Sequence, residues 1–227
     1  MLPKISKVKE HRYLTHEQVA RLADEIDEEF RTLILIMAYC GLRWGEVTAL
    51  RVRDIDVLRG RLTVARGAVE LPDGIAYDSP KSHAQRTLVI PASLRPGVEA
   101  HMSGKSPDSL LFTSPEGGPL RASNFRQRSF APAVKRAGLG ITPHDLRHTA
   151  ASLAIASGAN VKAVQRMLGQ QSAAMTLDTY SGLFDSDLEA VADGLDKGIA
   201  AAAADYLRTS SQITPLQTGS DQTAKAL

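Results

Sequence analysis

The sequence lacks four features that would quickly assign it to a membrane, secreted or strongly basic class of protein. Its longest apolar run, residues 33–40, is far shorter than the roughly 20 residues that a membrane-spanning helix needs. No apolar stretch follows the first residues, so we expect no signal peptide. Cys40 is the single cysteine, which excludes an internal disulfide and agrees with a reducing cytoplasm. The net charge is only +2, so total charge does not decide for or against a nucleic-acid partner.

What the sequence does have is the length and composition of a folded domain. With 227 residues, of which 43% are hydrophobic and 23% charged, the chain is long enough to bury a core. Residues 1–12 carry basic side chains with little to bury, which predicts a linker. Residues 13–207 carry the patterned elements of one domain. Residues 208–227 are rich in Ser, Thr and Gln, so we expect a disordered tail there.

Hydrophobic periodicity predicts an α+β domain that is predominantly α-helical. Thr15 begins a capping box ahead of a first helix, and Gly41 ends a second helix that is strongly apolar. Thr142 is predicted to cap a later helix, and Ser123 to cap a helix over residues 124–137. Segments bounded by turn residues predict one small three-stranded antiparallel sheet, formed by residues 52–57, 61–69 and 87–91.

The segment His-Asp-Leu-Arg-His at positions 144–148 lies in the first turns of the helix that Thr142 begins. Its spacing places His144, Arg147 and His148 on one face of that helix. The free N–H groups at a helix start favour anions, and a guanidinium beside an imidazole suits a phosphate diester. Taken alone, the motif is equally compatible with a solvated helix face, where such pairs are common.

A second motif, Gly-Leu-Arg-Trp-Gly-Glu at positions 41–46, directly follows the most apolar helix. Arg43 must therefore be partly buried, and a buried arginine needs a hydrogen-bonding partner. A purely structural pair between Arg43 and Glu46 explains this pattern as well as a functional role does.

Two further positions do not indicate a function when each is taken alone. Lys81 precedes a predicted strand, where a lone lysine is usually solvated. Tyr180 ends the stretch Thr-Leu-Asp-Thr-Tyr, and a tyrosine at a helix end is ordinarily a core residue. The order and spacing of all four motifs are far more specific than any one of them.

In that order, the four motifs resemble those of the tyrosine recombinases of the phage-integrase type, over residues 13–207. The resemblance implies the catalytic-domain fold of that family and site-specific DNA recombination, by integration or excision. Tyr180 would be the nucleophile that leaves a 3′-phosphotyrosyl link and a free 5′-hydroxyl. Arg43 and Arg147 would clamp the non-bridging oxygens of the scissile phosphate, where charge builds up in the transition state.

The resemblance also assigns supporting chemistry. Lys81 would donate a proton to the departing oxygen, and His144 would act as an acid/base group for the nucleophile's proton. Glu46 would orient the arginine region, and His148 would support the site from behind. Gln170 stands where the family usually has histidine. A glutamine can still donate a hydrogen bond to a phosphate oxygen, but it cannot carry a proton or a charge, so activity could be reduced.

The resemblance implies double-stranded DNA as the partner, and a homotetramer on that DNA in which the C-terminal helix, residues 186–207, is exchanged between subunits. It implies no cofactor, because a phosphotyrosine link is about as energetic as the diester it replaces. In the family a helical core-binding domain precedes the catalytic domain. The pattern here starts by Tyr13, so we expect this chain to carry the catalytic domain alone. Two alternatives stay open: an integrase remnant that binds DNA without cutting it, which Gln170 favours, and a type IB topoisomerase-like enzyme.

Overall fold

The computed structural model describes residues 12–78, 85–183 and 187–210. These form two compact units, one ending at Leu183 and the other containing the C-terminal helix. Within the described ranges no helix is both long and apolar enough to cross a bilayer. The predicted linker and tail fall almost entirely outside these ranges, so the expectations for them stay predictions.

Three helices build the first half of the domain, and their ends lie where the local sequence predicts. α1 (His16–Glu25) begins at Thr15, and both hydrogen bonds of the predicted capping box are present. α2 (Glu28–Cys40) is buried along most of its length and packs on α1. It ends at Gly41, whose φ of 67° is the left-handed conformation that glycine adopts without strain. α3 (Trp44–Thr48) follows this stop.

Two small antiparallel sheets follow, where the sequence predicted one. The strands are β1 (Ile55–Asp56), β2 (Arg61–Val64), β3 (Gly67–Leu71), β4 (Gly74–Asp78) and β5 (Arg86–Val89). The predicted three-stranded sheet is present, in the order β1-β2-β5, whereas β3 and β4 form a separate hairpin.

The predicted bounds of the first two strands are therefore wrong. Val52–Asp54 form a 3-10 turn, which leaves only two residues of the first predicted strand in the sheet. The second predicted strand, residues 61–69, divides between β2 and β3, which belong to different sheets. The physical reason is that β2 turns Leu62 into the core, whereas β3 packs against α3 instead of continuing the first sheet.

The second half of the domain is helical. Its helices are α4 (Arg95–Met102), α5 (Ala122–Phe125), α6 (Ala131–Arg136), α7 (Pro143–Ala156), α8 (Val161–Leu168) and α9 (Ala173–Tyr180). Thr142 is the residue that begins α7, as predicted, and its backbone N–H and its hydroxyl both donate to the carboxylate of Asp145. The prediction that Ser123 caps this helix is wrong, because Ser123 lies inside α5 and Arg121 precedes the helix. A π turn at Arg126–Phe130 joins α5 to α6.

Aromatic packing holds α3 in place beside the central helices. The ring of Trp44 stacks on Phe125, with 4.7 Å between ring centroids. Phe125 in turn meets Phe30 edge to face, with 5.2 Å between ring centroids, which is an arrangement that aromatic pairs prefer. The cluster therefore connects α2, α3 and α5, and it fixes the start of α3, where Arg43 lies.

The second unit contains α10 (Asp187–Ser210), which coincides closely with the predicted C-terminal helix. Val191, Leu195 and Ile199 fall at intervals of four along it, so they share one helix face.

Candidate active site

Arg147 lies near the start of α7 and is almost completely buried, with 5% of its surface exposed. Its Nη1 donates to the carbonyl of Gly41 and its Nη2 to the carbonyl of Leu168, both at 2.5 Å. Carbonyl groups at the C-terminal ends of helices lack intrahelical partners and carry partial negative charge, so they stabilise a buried cation. Burial, assisted by the positive charge of Arg43, lowers the pKa of Arg147 to about 10, and the guanidinium therefore stays charged at neutral pH.

Gly41 is required for this arrangement by more than its backbone conformation. A Cβ atom at this position would lie 2.9 Å from Leu168 Cδ2 and 3.3 Å from the Cβ of Ala150. A larger residue would force apart the ends of α2 and α8, which supply the two carbonyls that hold Arg147. The glycine that ends α2 thus also sets the position of the buried cation.

Glu46, in α3, is a buried carboxylate that two arginines share. It is 4% exposed and accepts hydrogen bonds from the backbone N–H of Arg43 at 2.8 Å and from Arg43 Nη1 at 2.9 Å. Arg86 donates to it twice, through Nη1 at 2.9 Å and Nη2 at 2.7 Å. Burial alone would raise the pKa of Glu46, but the hydrogen bonds and charges of Arg86 and Arg43 outweigh it and lower the pKa to about 2. The carboxylate is therefore ionised at neutral pH.

Arg86 is the functional candidate that the sequence analysis did not single out. It lies at the start of β5 with its side chain 10% exposed, and its Nε donates to the carbonyl of Met167 at 3.0 Å. The signal that could have found it is the one used for Arg43: an arginine at the edge of an apolar segment must be buried and needs a partner. Only the fold could identify that partner as Glu46.

Tyr180, at the end of α9, is 2% exposed, and its hydroxyl lies 2.8 Å from Nδ1 of His148. Burial raises the pKa of Tyr180 to about 12, although the charge of Arg147 acts in the opposite direction. The hydroxyl is therefore protonated at neutral pH. The ring of Tyr13, from the segment before α1, lies 6.4 Å from the ring of Tyr180.

Two further predicted residues, His144 and Gln170, lie near these groups. His144 is exposed in the first turn of α7, and its ring meets that of His148 edge to face at 4.8 Å. The side-chain oxygen of Gln170 accepts a hydrogen bond from the hydroxyl of Thr176 at 2.5 Å. Lys81 lies outside the described residues. The structure therefore brings His148, rather than His144, onto the hydroxyl of the tyrosine.

The β3–β4 hairpin forms a wall beside Glu46 and is held at two points. A Cβ atom at Gly45 would fall on the carbonyl oxygen of Ala68, so α3 and β3 approach each other at backbone distance. On the other side, the Glu70 carboxylate accepts a hydrogen bond from the N–H of Ala122, at the start of α5. Glycine at position 45 therefore allows the hairpin to lie against α3, the helix that carries Glu46.

A cavity of about 750 Å³ opens between α3, this hairpin and the start of α9. Arg43, Glu46 and Gln170 line its polar side, and Val69 and Met175 line its apolar side.

Residues 12–78, 85–183 and 187–210 contain no cluster of three or more His, Cys, Asp or Glu that could hold a metal ion. The site instead offers the positive charge of arginine, an imidazole and a tyrosine hydroxyl. These groups together are suited to bind and attack a phosphate diester.

Comparison with solved structures identifies the fold of this domain. The catalytic domain of bacteriophage HP1 integrase aligns with 81% of this chain and 95% of its own, with a TM-score of 0.59 and 22% identity. The Tn1549 transposon integrase, in complex with transposon right end DNA, aligns with 83% of this chain and 68% of its own, with a TM-score of 0.71 and 21% identity. The chain therefore has the fold of a tyrosine recombinase catalytic domain, as the motifs predicted.

The chain itself belongs to the phage integrase family, whose model matches residues 12–186. The integrase of Mycobacterium phage L5 is 30% identical over 192 residues, which make up 81% of this chain and 52% of that relative. The chain thus spans about half the length of the curated relatives it matches. The curated relatives are named integrases and tyrosine recombinases, so they favour neither of the two alternatives that the sequence left open.

Proposed function

We propose that this chain is the catalytic domain of a site-specific DNA recombinase, which breaks and rejoins DNA strands through Tyr180. The observation that carries the proposal is that, in a member of the phage integrase family, the hydroxyl of the buried Tyr180 lies 2.8 Å from Nδ1 of His148, on the same helix that holds the buried Arg147. A fixed cation beside a nucleophile is the arrangement that phosphoryl transfer requires.

Arg147 and Arg43 form the proposed clamp on the non-bridging oxygens of the scissile phosphate. Arg147 is held by two main-chain carbonyls, so its charge is positioned before the substrate arrives. Arg43 has a side chain that is 45% exposed and can turn towards a ligand from its contact with Glu46. Charge that is positioned in advance stabilises the transition state without a further cost of reorganisation.

In the proposed cleavage step, the oxygen of Tyr180 forms a bond to phosphorus while the bond from phosphorus to the 5′ oxygen breaks. Lys81 protonates the departing 5′ oxygen. The proton of Tyr180 passes to the imidazole pair, in which Nδ1 of His148 contacts the hydroxyl directly and His144 lies on the exposed side. Rejoining reverses these transfers, and one ester replaces another, so no external energy source is needed.

Gln170 is proposed as a hydrogen-bond donor to the same phosphate. It lines the cavity together with Arg43, and its side-chain oxygen already accepts from Thr176. The amide NH₂ group is therefore the part that can reach a phosphate oxygen.

The test is covalent capture of DNA by the 227-residue chain. A library of nicked duplexes, randomised around the nick, traps the cleaved intermediate because the short released fragment diffuses away. We expect an SDS-resistant adduct that disappears in Tyr180→Phe and persists in Tyr39→Phe, since the hydroxyl of Tyr39 contacts His16. Sequencing the captured DNA identifies the target. An adduct formed by Tyr180→Phe, or none formed by the unaltered chain, would refute the proposal.

DNA as substrate further suggests a cytoplasmic protein that acts as a homotetramer on its attachment site. The apolar face of α10, formed by Val191, Leu195 and Ile199, is the proposed contact, inserted into a neighbouring protomer. A chain ending at position 185 should cleave DNA but fail to pair two sites. Undiminished pairing of sites by this shortened chain would exclude an exchanged helix.

A further inference from the structure

Arg86 joins two parts of the candidate site that are far apart in the sequence. Its two terminal nitrogens bind the two oxygens of Glu46, next to Arg43 in α3. Its third nitrogen binds the carbonyl of Met167, in the last turn of α8, which leads to Gln170. A Cβ atom at Gly169 would lie 2.9 Å from Nη1 of Arg86, so the chain wraps closely around this guanidinium.

The hydrogen bonds of Glu46 show what Arg86 does to Arg43. Oε1 accepts from Arg43 Nη1 and Arg86 Nη1, and Oε2 accepts from the Arg43 main chain and Arg86 Nη2. Arg86 therefore occupies one position on each oxygen. The Arg43 side chain is left with a single hydrogen bond to the carboxylate among the described residues. Without Arg86, both oxygens would become available to Arg43 as a two-point partner, which is the stronger geometry.

We infer that Arg86 is a positioning residue: by sharing the Glu46 carboxylate, it keeps the guanidinium of Arg43 available for the scissile phosphate. This inference rests on the proposed function. A carboxylate that binds a single arginine competes with the phosphate for that arginine. A carboxylate that two arginines share orients Arg43 without binding its guanidinium at both oxygens. The hydrogen bond from Arg86 to the carbonyl of Met167 holds the end of α8, and it thereby places Gln170 at the same cavity.

A merely structural role is the alternative, because Arg86 and Glu46 form a buried ion pair and its loss would destabilise any protein. The chain offers a matched control for that effect. Arg66 donates to Asp54 at 2.5 Å, with side chains 18% and 7% exposed, in a buried pair that does not line the cavity. Arg66→Met therefore reports the cost of losing a buried arginine without altering Arg43.

The first experiment compares two substrates in single-turnover cleavage, using the DNA sequence that the capture assay recovers. One carries an ordinary scissile phosphate. The other carries a methylphosphonate, in which a methyl group replaces one charged oxygen and the need for Arg43 is reduced. We expect Arg86→Met to lose about tenfold more rate on the phosphate than on the methylphosphonate, which is about the contribution of one hydrogen bond to a charged group.

The controls separate positioning from folding. Arg66→Met should slow both substrates by the same factor. Arg86→Lys should recover part of the selective loss, since an ammonium can still hold one oxygen of Glu46. The double variant Glu46→Gln/Arg86→Met should also recover part of it, because the neutral amide no longer captures Arg43. Equal losses on both substrates in Arg86→Met, as in Arg66→Met, would overturn the inference.

A second measurement needs no DNA. Phenylglyoxal modifies accessible guanidinium groups, and peptide mass spectrometry measures the rate at Arg43. We expect slower modification of Arg43 in Arg86→Met than in the unaltered chain, with recovery in Glu46→Gln/Arg86→Met and no change in Arg66→Met. An unchanged rate at Arg43 in Arg86→Met refutes the inference even if the chain cleaves DNA. Absence of DNA cleavage by the unaltered chain instead refutes the proposed function, and the labelling still decides what Arg86 does.

Discussion

Replacing Glu46 by glutamine should destabilise the domain in a way that depends on pH. The carboxylate is buried and accepts four hydrogen bonds from Arg43 and Arg86. Glutamine removes the negative charge, and its NH₂ group is a donor where an acceptor is needed. Two guanidinium groups are then left beside each other without their shared partner.

The size of the effect follows from the pKa of Glu46, which is lowered from its ordinary value of 4.5 to about 2. A pKa that is lower in the folded state contributes stability above the unfolded value and loses it as the pH falls towards the folded value. At 1.36 kcal/mol per unit, the ionised carboxylate contributes about 3 kcal/mol at neutral pH and about 1 kcal/mol near pH 3. The free energies of unfolding of the unaltered chain and of Glu46→Gln should therefore approach each other by about 2 kcal/mol over this interval.

The assay is urea-induced unfolding, followed by circular dichroism at several pH values between neutral and about pH 3. Glu17→Gln is the matched control, since Glu17 binds one arginine at 3.1 Å and its side chain is 82% exposed. A surface pair of this kind should change the free energy of unfolding by less than about 1 kcal/mol at every pH. A difference between the unaltered chain and Glu46→Gln that stays constant with pH would refute the reasoning, because it would show that the carboxylate is not held ionised by the arginines.

Three further predictions concern the site. Gln170→His should raise the single-turnover cleavage rate about tenfold with little change in DNA affinity, because a chargeable imidazole acts mainly on the transition state; equal rates would show that position 170 does no catalytic work. Lys81→Ala should cleave poorly but recover on DNA with sulfur as the 5′-bridging atom, since a thiolate leaves without a proton; no selective recovery would remove Lys81 from that role. Gly45→Ala should lower the free energy of unfolding by about 1–3 kcal/mol and slow cleavage, because its Cβ displaces Ala68 and the hairpin; urea unfolding and adduct formation that match the unaltered chain would contradict the close approach.

Elements whose signals are local could be predicted from the sequence. The caps at Thr15 and Thr142 and the glycine stop at Gly41 depend on residues within one turn of the chain, and all three are confirmed. The order of the four motifs was sufficient to predict the family, because each motif is a short contiguous stretch. The bounds of the strands were less predictable, since only residues 65 and 66 separate β2 from β3 and their packing alone assigns them to different sheets.

The sequence by itself thus determined where most helices start and stop, which family the chain belongs to, and which residue types are available for chemistry. Only the tertiary structure decided which of them meet. Arg147 binds a carbonyl 106 positions away, Arg86 binds a carboxylate 40 positions away, and the hydroxyl of Tyr180 contacts His148 rather than His144. The physical reason is that such contacts depend on how helices and sheets pack, and packing buries a charge or a hydroxyl only where a distant segment supplies its hydrogen-bond partner.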